Sequence, residues 1–222
     1  MMNLRANIRW VLPTLALALS ACQSQSIETT QSNPTPQPPP TNPTQEPTMT
    51  PTEPQQAQVA YVRMIIKDKG ALVIELDLKE APKTSENFLR LVKEKFYDGI
   101  RFHRVVPKFV IQAGDPQSKT LPMGHPQLGT GGSGKTIKFE PNNLKHKRGA
   151  MGMARAMDPD SASSQFYICL EDLPQLDGNY VIFGRVVEGI EIIDQVRVGD
   201  AIEKATVLEQ WTPKPDAPPS KQ

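Results

Sequence analysis

The stretch GTGGSGKT, residues 129–136, decides between two folds. It satisfies the pattern G-x-x-x-x-G-K-[ST] without a mismatch. In a nucleotide-binding protein that pattern joins a buried strand to the N-terminus of a helix, so that loop amides and helix dipole bind phosphates together. Neither flank supports this. Upstream, LPMGHPQL (121–128) carries two prolines and no strand-like run; downstream, IKFEPNN (137–143) contains Pro141 and two asparagines and leaves no room for a helix. The octet therefore reads as a flexible glycine-rich loop, and no nucleotide is expected. Asp194, which could serve as an acidic partner, follows IEII in a segment that reads better as a helix of its own.

Outward from the loop, the chain is mostly strand. ALVIELDL (71–78) alternates so that Leu72, Ile74, Leu76 and Leu78 share one face, and YVRMII (61–66) makes a hairpin partner with KDKG at the turn. APKTSENFLRLVKEKFY (81–97) opens with Pro82 and lines up Phe88, Leu91 and Val92, which predicts an amphipathic helix ended by the Tyr97-Asp98-Gly99 turn. Six short pieces follow, RFHRVV, FVIQAG, AMGMAR, QFYICL, YVIFGRVV and ATVLEQW, with a second helix expected around EGIEIIDQV (188–196). Many short strands with two helices argue for an antiparallel barrel or sandwich.

The length of 222 residues and hydrophobic content of 38% suit one core, and a net charge of +1 gives no reason to expect a nucleic acid partner. Residues 1–21 place Arg5 and Arg9 ahead of an apolar run from Trp10 to Leu19, the pattern of an export signal. That run falls short of the roughly 20 residues a membrane-spanning helix needs. LSAC (19–22) resembles the lipobox of bacterial lipoproteins, which makes Cys22 the expected lipidation site and new N-terminus. A diacylglyceryl group with an N-acyl chain would hold the protein stably at a membrane, where a single chain would not. Gln23 lacks the aspartate that favours inner-membrane retention, so the expected location is the outer membrane facing the periplasm in a diderm bacterium, or the outer face of the plasma membrane otherwise.

Residues 23–58 hold nine prolines and no aromatic residue, glycine, lysine or arginine. Such a segment cannot build a core, and at about 3.1 Å per residue in polyproline II it could extend to roughly 110 Å. With Cys22 it reads as a tether (22–58), followed by one domain (59–212) and a disordered tail, PKPDAPPSKQ (213–222). The second cysteine, Cys169, lies in a buried-looking strand and is expected to be a small hydrophobe, not half of a disulfide.

FHRVVPKFVIQAGD (102–115), GTGG (129–132), KHKRGAMGMARA (145–156), SASSQFYICL (161–170) and LDGNYVIFGRVVEG (176–189) resemble, in this order, segments of the cyclophilin family of peptidyl-prolyl isomerases. The resemblance covers about residues 60–212. It implies a mainly β fold, a closed eight-stranded antiparallel barrel capped by two α-helices, with an active groove on the outer face. The implied activity is rotation about Xaa-Pro bonds in exported or envelope proteins, by a monomer whose partners are proline-containing polypeptides and which uses no cofactor and no metal. The alternative is a proline-peptide binding module or chaperone with little turnover.

Matched position by position, the resemblance makes Arg104, Phe109 and Gln112 catalytic, and Val110, Ala154, Arg155, Gln165, Tyr167, Leu176 and Tyr180 substrate-binding. By pattern alone, Phe109, Val110, Tyr167 and Leu176 would be core residues and Arg104 a solvated strand residue. The reaction moves no proton, so His103 is expected to be structural; His103, His125 and His146 show no metal-ligand spacing, and KHKR (145–148) reads as a solvated loop. Many cyclophilins carry tryptophan at the position of Gln175 and histidine at that of Tyr180. Both lie at the pocket rim and bear on cyclosporin affinity more than on catalysis. Arg155 and Tyr167 differ from the animal form and suit bacterial members.

Overall fold

The computed structural model describes residues 58–212. The leader, Cys22, the tether up to residue 57 and the tail lie outside the described residues. β1 (Val59–Ile66) and β2 (Gly70–Asp77) form the expected hairpin, in register from Val59 opposite Asp77 to Ile66 opposite Gly70. Leu72, Ile74 and Leu76 are fully buried on its inner face. Leu78 falls just past the strand and is half-buried, because the chain turns where the Asp77 carboxylate accepts the amides of Lys79 and Glu80.

Helix α1 (Pro82–Lys93) follows. Proline suits its first turn, where an amide hydrogen would have no intrahelical partner. Its remaining free amides at Lys83 and Thr84 donate to the carboxylate of Glu140, 3.1 and 3.0 Å away. Phe88, Leu91 and Val92 are buried, with the Phe88 ring against Tyr97, Phe166 and Phe183 at centroid distances of 4.8, 5.6 and 5.4 Å.

The remaining strands are β3 (Arg104–Val106), β4 (Val110–Ala113), β5 (Ala150–Met153), β6 (Phe166–Cys169), β7 (Ile182–Glu188) and β8 (Ile202–Leu208). All eight join one antiparallel sheet in the order β3-β4-β6-β5-β7-β2-β1-β8. Its first and last strands are bridged by the segment before β3. Gly99 and Phe102 donate to the carbonyls of Ile202 and Asp200 at 2.7 and 2.9 Å, and Ile202 and Gly199 donate back to Ile100 and Phe102 at 2.8 and 2.9 Å. The sheet thus wraps around a core fed by α1 and by the inward residues Ile111, Ala113, Met151, Phe166 and Ile168.

The second expected helix is present but tighter: Ile190–Gln195 is a 3-10 helix of six residues. Ile192 and Ile193 are buried, and Gly189 leads into it with φ of 79°. Asp194, within it, pairs with both guanidinium nitrogens of Arg148 at 3.0 and 2.7 Å.

Candidate active site

Strand alternation places the site. On β4, Ile111 and Ala113 face the core while Val110 and Gln112 face outward; on β6, Phe166 and Ile168 face in while Tyr167 and Cys169 face out. The ladders put Arg104 opposite Gln112, Gln112 opposite Tyr167, and Tyr167 opposite Gly152. One row across four neighbouring strands therefore runs from a guanidinium through an amide and a phenol to a bare backbone. Gly152 has to be bare: a Cβ there would lie 2.2 Å from Cζ of Tyr167, whose ring lies across it.

Over this outer face the chain lays a second apolar cluster. Val110, Ala150, Tyr167, Cys169, Leu173 and Ile182 are buried, and Phe109, Ala154, Leu176 and Tyr180 pack on them half-exposed. A cavity of ≈ 250 Å³ opens there, lined by Arg104, Phe109, Val110, Gln112, Ala154, Arg155, Tyr167, Leu176 and Tyr180. Nine of the ten positions singled out in the sequence thus meet at one cavity. The tenth, Gln165, lines an adjoining cleft of ≈ 340 Å³ that shares Gln112, Ala154 and Arg155 with it. Gln175 is exposed in a short 3-10 turn, Pro174–Leu176, outside the cavity lining.

Polar groups along the rim are joined in series. Arg104 Nη1 donates to Gln112 Oε1 at 3.1 Å, Gln112 Nε2 donates to Gln165 Oε1 at 3.0 Å, and Gln165 Nε2 donates to the carbonyls of Gly129 and Gly131 at 2.9 and 2.7 Å. The Arg104 guanidinium also lies 5.7 Å from the Phe109 ring centroid. Arg155 is engaged differently. It stacks 4.8 Å over Tyr180 and donates to the carbonyls of Asn179, Ala156 and Met157, tying two loops together across the rim.

The glycine loop is held from within the chain by an acidic side chain. Asp115 is fully buried, and its Oδ2 accepts the amides of Gly129 and Gly131 at 2.6 and 3.3 Å while Oδ1 accepts that of Gln117 at 2.8 Å. No helix follows the loop: Ile137 forms an isolated bridge to Ala162, and Glu140 caps α1. Lys135 is exposed. Lys135→Ala is accordingly expected to leave isomerase activity and melting temperature unchanged, within about 0.5 kcal/mol of stability. ATP with magnesium should shift the melting temperature of neither protein, as scanning fluorimetry can check.

Burial lowers the pKa of His103, whose ring packs under Gly129, so it is neutral at neutral pH. Cys169 is fully buried and free, and burial pushes its thiol up to about 12, which makes it inert as a nucleophile. Among the described residues no group of three or more His, Cys, Asp or Glu side chains is placed to hold a metal ion. In KHKR, Lys145, Lys147 and Arg148 face the carboxylates of Asp177, Asp172 and Asp194 at 3.5, 2.8 and 2.7 Å. Sequence reasoning missed Asp115 and gave His146 no part in the site. Asp115 did carry a local signal, an acidic residue directly before Pro116, where its side chain caps the 3-10 turn Pro116–Lys119.

The site is thus an apolar floor edged by a guanidinium and side-chain amides, on the outer face of the antiparallel sheet. The family model "Cyclophilin type peptidyl-prolyl cis-trans isomerase/CLD" matches residues 61–214. A peptidyl-prolyl cis-trans isomerase of Helicobacter pylori is 43% identical over 155 residues, covering 68% of this chain and 88% of that protein. Peptidyl-prolyl cis-trans isomerase B of Bacillus subtilis is 39% identical over 145 residues, covering 64% and 94%. The crystal structure of a cyclophilin type peptidyl-prolyl cis-trans isomerase of Cryptosporidium parvum superposes with a TM-score of 0.60 at 30% identity, covering 68% of this chain and 99% of that one. In the presence of the dipeptide Ala-Pro that protein gives a TM-score of 0.59 at 31% identity.

The chain belongs to the cyclophilin-type peptidyl-prolyl cis-trans isomerases. Its activity is rotation about the peptide bond preceding proline, which resists turning with a barrier of ~18–20 kcal/mol because the nitrogen lone pair is delocalised into the carbonyl.

Proposed function

We propose that the 250 Å³ cavity receives the proline ring and that Arg104, Phe109 and Gln112 carry the catalysis. The observation that supports this reading is the bonded series Arg104–Gln112–Gln165 running beside the apolar floor formed by Phe109, Val110, Tyr167 and Leu176. Val110, Tyr167 and Leu176 hold the ring by contact. Gln165, Ala154 and Arg155 edge the adjoining cleft, into which the chain before the proline extends. As the amide twists, its nitrogen lone pair localises, and a guanidinium beside that nitrogen stabilises the twisted form more than the planar one. That the Cryptosporidium relative was crystallised in the presence of Ala-Pro supports a proline-containing peptide as the ligand here. The test is cis-to-trans isomerisation of a short Xaa-Pro peptide, with Arg104→Ala beside wild type.

The reading extends to where the enzyme works. A leader of 21 residues, a cysteine in a lipobox-like LSAC and a proline-rich segment ahead of the barrel support an exported enzyme held at a membrane by lipid on Cys22. Its clients are then exported or envelope proteins, which meet prolyl isomerisation as a slow folding step after translocation. Mass spectrometry of the mature protein from its host is expected to find Cys22 as N-terminus carrying acyl chains, and Cys22→Ser to remove them. An unlipidated N-terminus elsewhere in wild type would refute the anchor and leave the isomerase unaffected.

A further inference from the structure

Behind the pocket, Tyr167, His146 and Asp177 form a hydrogen-bonded chain that the twisting chemistry does not require. Tyr167 turns its ring to the cavity and its hydroxyl away from it, 2.8 Å from His146 Nε2. The His146 side chain is 0% exposed. Its Nδ1 lies 2.8 Å from Asp177 Oδ1, and the same oxygen accepts the His146 backbone amide at 2.9 Å. These contacts assign the protons. The bond from the His146 amide leads the effects that hold the Asp177 carboxyl below its usual range, so it is an ionised acceptor. Burial lowers the His146 pKa, so its ring is neutral; Nδ1 therefore carries the hydrogen, Nε2 accepts, and the tyrosine hydroxyl donates.

Geometry connects this chain to the walls of the pocket. Asp177 directly follows Leu176, and Leu173, at the start of the same turn, donates its amide to the His146 carbonyl at 2.7 Å. On its other side the Tyr167 ring meets Tyr180 edge-on at 6.1 Å, while His146 lies parallel to it at 6.0 Å. One buried imidazole thus holds the floor of the cavity through its ring and the turn bearing one wall through its backbone.

We propose that His146, braced by Asp177, is a positioning residue of the isomerase site, fixing the depth of the proline pocket by holding the Tyr167 ring against Gly152. The proposal rests on assigning that cavity to the proline ring. It concerns binding of the ring and not the twisting step, so its signature is a change in KM with kcat nearly constant.

The test uses the full-length chain in detergent and measures kcat and KM for a short Xaa-Pro peptide with two substitutions at one site. A glutamine amide reaches as far as Nε2 and keeps a partner for the Tyr167 hydroxyl. An asparagine amide reaches only as far as Nδ1, keeping the bond to Asp177 but leaving that hydroxyl buried without an acceptor. His146→Asn is expected to raise KM about tenfold, the usual scale for one buried polar group left unsatisfied, with kcat within about twofold. His146→Gln is expected to stay within about threefold of wild type in both constants, and the difference between the two variants should vanish in a Tyr167→Phe background. Equal KM values for the Asn and Gln variants, whether both raised or both unchanged, overturn the proposal. Should the Asn variant fail to fold, Tyr167→Phe alone decides: a rise of about threefold in KM is expected, and an unchanged KM overturns it. Leu176→Ala separates this from failure of the pocket assignment itself. If that substitution leaves KM unchanged, the cavity does not hold the proline ring; if it raises KM while the His146 variants do not differ, only the positioning role falls.

Discussion

Replacing Arg104 by alanine is expected to lower kcat/KM for Xaa-Pro isomerisation by about 10²–10³-fold, the loss found when a preorganised donor to a developing charge is removed. The loss should fall mainly in kcat, because the guanidinium acts on the twisted amide and the apolar pocket holds the planar one. The structure makes the substitution clean. Arg104 is exposed at the start of β3, its guanidinium donates to Gln112 at 3.1 Å, and it lies over the Phe109 ring. The barrel core does not depend on it, so the melting temperature should stay within about 2 °C of wild type. Arg104→Lys should recover only part of the loss: an ammonium keeps the charge but lacks the planar fork that bonds Gln112 and faces the amide nitrogen together. A kcat/KM for Arg104→Ala within threefold of wild type would remove Arg104 from the mechanism.

Strands were legible in this sequence wherever one of their faces meets water or the turn chemistry is explicit. β1 and β2 alternate and meet at KDKG, and α1 shows its stripe and its Pro82. The strands that build the site lack that contrast. All four residues of β4, β5 and β6 are buried or nearly so, because a second apolar layer covers the outside of the barrel there. With both faces apolar, alternation disappears, and Val110 and Tyr167 look no different from Ile111 and Phe166. The long motifs shared with a known family assigned those faces; periodicity could not have done so. The second helix lies where the sequence places it and differs only in its tighter winding. IEII marks a buried segment, but the six residues between Gly189 and Val196 give room for a tight 3-10 turn only.

Asp115 shows what sequence reasoning passes over when a residue acts on a loop far along the chain. Its carboxylate gathers the amides of Gln117, Gly129 and Gly131, and a Cβ at Gly131 would lie 2.2 Å from its Oδ1, so loop and carboxylate are fitted to each other. Asp115→Ala leaves those amides without their charged acceptor in a site that is fully buried, at a cost of about 3 kcal/mol. For a domain of this size that corresponds to a fall in melting temperature of roughly 6–12 °C, measurable by calorimetry. Activity should fall as well, even well below the melting point. The carbonyls of Gly129 and Gly131 hold Gln165, Gln165 holds Gln112, and Gln112 holds Arg104, so a displaced loop releases the whole polar rim. Asp115→Asn should be intermediate in stability, since its carbonyl oxygen can accept on one side while its amide hydrogens meet other donors on the other. An Asp115→Ala protein that melts within 2 °C of wild type would show that the loop holds itself. One that is destabilised as expected yet retains wild-type kcat and KM at 10 °C would show that the loop is anchored there for stability alone, and that the glutamines keep Arg104 in place without it.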